Sequence, residues 1–126
     1  VLVSSSAFAE NPKNWITESY EVLTQNLTTI VELNKNGAIT AEQTALMVDM
    51  QLNSFETVAL SDEGLHGKKA LFKSTSIGCF RTSMVRKLKN GTATVSDVLD
   101  AFQAAQKAGQ FPACSATSEN GSERGN

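Results

Sequence analysis

An all-α fold, an antiparallel bundle of about four helices, follows from three observations on this chain. Apolar residues recur at three- and four-residue steps through most of its length. Glycine and threonine stand where one helix would stop and the next restart. No alternation of apolar and polar residues reaches strand length.

Asn11-Pro12 opens the first helix, with Asn as N-cap and Pro at the first helical position, where its missing N–H costs nothing. Ile16, Tyr20, Leu23, Leu27, Ile30 and Val31 then form one stripe, with Glu18, Gln25 and Glu32 largely off it, and Gly37 ends the run. Thr40 and Gln43 have capping-box spacing, and a second helix carrying Ala45, Leu46, Met50, Leu52, Phe55, Val58 and Ala59 is expected to reach about Leu60. Ser61-Asp62-Glu63-Gly64 reads as a break that also caps the third segment. That segment, Leu65 to Lys89, sets Ala70, Ile77, Phe80, Met84 and Leu88 on one side, and its weak stretch Ser74–Gly78 is able to split it in two. After Gly91, Thr94 faces Asp97 in another capping box, and Val98, Leu99, Phe102 and Ala105 mark a shorter fourth helix ending at Gly109.

Lys35-Asn36-Gly37-Ala38-Ile39-Thr40 and Lys89-Asn90-Gly91-Thr92-Ala93-Thr94 occupy equivalent places, which suggests two helical hairpins in tandem. With 126 residues, 40% of them hydrophobic and 19% charged, the chain is the size of one domain, expected over residues 10–114. Residues 1–9 read as the remnant of a signal peptide or an N-terminal arm, because small Ala7 and Ala9 flank Phe8 as a signal-peptidase site requires. Residues 115–126 supply nothing for a core and are expected to form a disordered tail. Cys79 and Cys114 lack metal-site spacing, so an exported chain would join them in a disulfide that pins the chain end to the third helix.

Several chemistries lose their residues at this level. His66 is the single histidine, flanked by glycines, and the simplest reading makes it an exposed loop residue. Neither Gly-x-Ser-x-Gly, Gly-x-Gly-x-x-Gly nor a phosphate-binding loop occurs, and no cofactor is expected. Glu18 and Glu21 share a helical face but read as solvated, so no enzyme is expected. A net charge of −2 does not suit a nucleic-acid backbone, and no stretch approaches the roughly 20 apolar residues of a membrane helix.

Charge is nonetheless uneven. Nine acidic residues from Glu10 to Glu63 accompany only Lys13 and Lys35, whereas Lys68, Lys69, Lys73, Arg81, Arg86, Lys87 and Lys89 meet no acid between Gly64 and Asn90. Lys68, Lys69, Lys73, Arg81, Arg86 and Lys87 are therefore candidates for a binding surface, against the simpler reading that acidic and basic helices attract one another inside the bundle.

The segment Glu32–Gln43, with Asn34, Asn36 and Gly37 at its third, fifth and sixth places and Ile39 at its eighth, resembles a degraded EF-hand calcium loop. That resemblance implies Glu32, Asn34, Asn36 and Gln43 as calcium ligands, with Glu where the family usually has Asp and Gln where it has the bidentate Glu. Asn26-Leu27-Thr28, Asn90-Gly91-Thr92 and Asn120-Gly121-Ser122 are glycosylation acceptor triplets. The function expected from all this is non-enzymatic: a periplasmic or secreted helical protein that binds another protein, as toxin-immunity proteins and accessory components of secretion or conjugation systems do. A carrier of a small apolar ligand and a calcium-responsive module are the other readings.

Overall fold

A computed structural model of the chain describes residues 12–112, with side chains from residue 16 onward. Asn11, Cys114, residues 1–9 and residues 115–126 lie outside the described residues, so the expectations placed on them have no structural counterpart.

Among the described residues there are four α-helices, α1 (Pro12–Lys35), α2 (Ala41–His66), α3 (Ser74–Lys89) and α4 (Val95–Ala108), and no strand. The bundle predicted from periodicity is the architecture found. Helix α2 is central, with α1 and α3 packed against it, while α4 lies on α1 and meets α3 through side chains.

The two similar loops are built alike. After α1, the amides of Asn36, Gly37 and Ala38 donate to the carbonyls of Glu32, Asn34 and Leu33; after α3, those of Asn90, Gly91 and Thr92 donate to Arg86, Leu88 and Lys87. Gly37 and Gly91 hold φ of 72° and 78°, a left-handed turn that a Cβ would strain. Both capping boxes form: Thr40 Oγ1 accepts from the Gln43 amide while Gln43 Oε1 accepts from the Thr40 amide, and Thr94 and Asp97 exchange the same pair.

The remaining connection, between α2 and α3, differs from expectation. Ser61–Gly64 is not a break, since α2 continues through it to His66 and the chain turns at Gly67, where φ is 57°. A short 3₁₀ turn, Gly67–Lys69, comes next, and Ser74 starts α3 instead of interrupting it. The reason is Asp62, which is buried at 2% exposure with both carboxylate oxygens occupied. Its Oδ1 accepts from His66 Nδ1 at 2.8 Å and its Oδ2 from the Leu71 amide at 2.9 Å, so one acid closes the helix end onto the incoming chain.

The core is one cluster running the length of α1 and α2. Towards the end that holds Asp62 it becomes aromatic, and each element contributes a ring: Tyr20 from α1, Phe55 from α2, Phe72 from the connection, Phe80 from α3, Phe102 from α4 and Phe111 after it. Tyr20 stacks on Phe102 with centroids 4.1 Å apart, and its hydroxyl donates to the Phe102 carbonyl inside the bundle. Burial pushes the Tyr20 phenol well above its ordinary value, with the backbone of Gln106 acting weakly the other way.

Candidate functional site

Helix α2 is apolar on more than one side, and that places the candidate site. Its inward stripe, Ala45, Val48, Leu52, Phe55 and Ala59, is at most 2% exposed. Leu46, Met50 and Leu60, by contrast, are 58–60% exposed and stand at positions that Asn53 and Thr57 complete into one line along the opposite face. The spacing of apolar residues groups Leu46 and Met50 with the core; the structure turns them outward. An apolar side chain left in water forgoes roughly 1.5–3 kcal/mol of burial, so three along one helix face form a surface that a second body could cover favourably.

Two shallow grooves lie beside α2, one towards α3 and one towards α1. On the α3 side the groove is lined by Ala41, Glu42, Leu46, Asp49, Val85 and Lys89. On the α1 side it is lined by residues that include Glu18, Val22, Asn26, Gln51, Ser54 and Val58, with Val22 itself exposed. There the Asn26 amide donates to Gln51 Oε1 at 2.8 Å, tying α1 to α2 beneath the groove. Both grooves mix apolar and polar lining, as surfaces that meet a partner commonly do.

The basic candidates do not form a single patch, although Arg81 and Arg86 line one shallow depression with Asp49, Val85 and Lys89. Arg81 lies in the partly exposed α2–α3 seam, its Nη1 2.9 Å from Asp49 Oδ1 and its Nε 3.0 Å from Glu56 Oε1. The hydrogen bond to Asp49 raises its pKa, against the opposing effect of burial. Lys68, Lys69 and Lys73 are exposed around the turn before α3, whereas Arg86 and Lys87 are half-buried near its other end, about 20 Å of helix away. Glu42, Asp49, Glu56 and Glu63 recur every seven residues on α2, and this acidic line meets α3. Glu63 accepts from the Ser74 hydroxyl, and the carboxylate of Glu56 lies where a side chain on Gly78 would stand, 2.9 Å from an ideal Cβ. The seven-residue acidic spacing was the signal that could have assigned Arg81 to the seam between α2 and α3.

In the loop that resembles an EF-hand, the amide side chains serve the turn. Asn34 Nδ2 donates to Thr44 Oγ1 at 3.2 Å and Gln43 belongs to the capping box, while Glu32 and Asn36 are exposed. Among the described residues no cluster of three His, Cys, Asp or Glu side chains is arranged to hold a metal ion. His66 is a half-exposed partner of Asp62 instead of a loose loop residue. No described helix is long and apolar enough to cross a membrane.

Comparison with family models, with curated proteins and with solved structures gives no match for this chain. The functional reading rests on the site alone.

Proposed function

We propose that this chain is an exported, non-enzymatic helical protein, periplasmic or secreted, that works by docking the outward face of α2 on another protein. The observation that carries the proposal is the exposed line Leu46, Met50 and Leu60 on a helix whose other sides are already packed. The role of an immunity protein, or of an accessory part of a secretion or conjugation machine, fits such a surface as a class of activity. His66 and Arg81, the side chains best suited to chemistry or charge recognition, are engaged in holding the fold, which favours binding over catalysis.

The test is affinity capture from envelope or secretory extract with two baits, the native chain and a Leu46→Ser/Met50→Ser/Leu60→Ser variant of unchanged helical content. A protein retained by the native chain and lost from the variant supports docking through this face. Equal retention by both would contradict it.

The export reading includes a Cys79–Cys114 disulfide. Its support is the absence of a free cysteine among the described residues and the path of the chain. Phe111 packs on Phe80 with ring centroids 5.2 Å apart, which holds the backbone three residues before Cys114 beside the neighbour of Cys79. Thiol titration of the denatured, unreduced protein should find no reactive cysteine; two thiols in protein recovered from an oxidising compartment would refute the bridge.

A further inference from the structure

We infer that Asn90 is an N-glycosylation site, modified by an oligosaccharyltransferase that uses a lipid-pyrophosphate-linked oligosaccharide as donor. The inference rests on the export reading, because donor and transferase meet the chain only outside the cytosol. Asn90-Gly91-Thr92 sits at the tip between α3 and α4, and all three residues lie on its surface. Thr92 folds back on the asparagine, its hydroxyl donating to Asn90 Oδ1 at 2.6 Å and its amide to the same oxygen at 3.1 Å. Two donors on Oδ1 draw electron density from the carboxamide and make its N–H protons more acidic. In the transfer, Nδ2 forms a bond to the anomeric carbon and gives up one proton, while the bond from that carbon to the pyrophosphate oxygen breaks with its electron pair and the leaving lipid pyrophosphate balances the released proton. The attached glycan would project from the loop without displacing a packed side chain.

The other described triplet differs in each respect. Asn26 lies in the middle of α1 with Nδ2 bonded to Gln51, so a glycan there would break the tie between α1 and α2. Asn36-Gly37-Ala38 supplies an internal control. Its backbone turns as the Asn90 loop does, with the same glycine conformation, but Ala38 has no hydroxyl. The difference between a silent loop and an acceptor is therefore one side-chain oxygen.

The full chain, carried into the lumen of a eukaryotic secretory host by a borrowed signal, tests the site independently of its own export. Peptide mapping after release by peptide N-glycosidase should find Asn90 converted to Asp and Asn26 intact. Thr92→Ala should abolish the modification at Asn90, and Ala38→Thr should add a second glycan at Asn36. Secreted protein with unmodified Asn90, or an Ala38→Thr variant that stays unmodified at Asn36, would overturn the inference. Either failure leaves the export reading standing, because export is judged separately by where the chain with its native start accumulates.

Discussion

The two ends of the bundle are closed by different means. At one end the loops after α1 and α3 use the same local devices, a left-handed glycine to stop and a threonine capping box to restart, and their bonds span only a few residues. At the other end the α2–α3 connection is held by Asp62, reaching nine residues ahead to the Leu71 amide and four to His66, above a cluster of six rings. Local closure is written in short words of sequence and is insensitive to what packs around it. The Asp62 closure depends on a buried carboxyl group whose partners are defined only once the helices are assembled.

The largest expected effect tests that contrast directly. Asp62→Ala leaves the Leu71 amide without its acceptor and His66 without its partner, and should lower unfolding free energy by about 2–4 kcal/mol in urea titration. Asp62→Asn, which can still accept from Leu71, should lose less. If neither change moved the midpoint, the far end would be held by its rings alone.

The next effect belongs to the same end. Because folding raises the Tyr20 pKa, the native state holds its phenolic proton more tightly than the unfolded chain does. Stability is thus unaffected below the ordinary value of 10.0 and falls as pH rises above it, when the unfolded phenol ionises first. Denaturant midpoints at rising pH, from neutral to well above that value, should show this fall, and Tyr20→Phe should remove most of it.

Smaller effects are expected at the looped end, and there they should be matched. Gly37→Ala and Gly91→Ala each place a Cβ at positive φ with open space around it, so each should cost about 1–2 kcal/mol from backbone strain alone. Thr40→Ala and Thr94→Ala should each cost about 1 kcal/mol through loss of the cap. Unequal costs within either pair would show that the surroundings enter after all, with Thr44, which bridges Thr40 and Asn34, the first place to look.

This division explains what could be read from the residues. Both capping boxes, the stops at Gly37, Gly91 and Gly109, and the core stripes of α1 and α4 were legible because each is a short-range pattern. Ser61–Gly64 looks like a break for the same short-range reason, and only the tertiary role of Asp62 makes it helix. The candidate site was illegible from periodicity, because α2 carries apolar residues on opposite faces and the pattern alone does not say which face is covered. Leu46 and Met50 fit the core template as well as Val48 and Leu52 do, and it is the packing of α1 and α3 on α2 that separates them.

If, as proposed, the outward line of α2 serves binding, it contributes little to folding. The equilibrium denaturation midpoint of the Leu46→Ser/Met50→Ser/Leu60→Ser variant tests it, read beside Leu52→Ala, whose buried side chain should cost about 2–5 kcal/mol. The midpoint of the triple variant should lie close to that of the native chain. A loss as large as that of Leu52→Ala would mean that these residues hold the fold together, and would contradict the proposal.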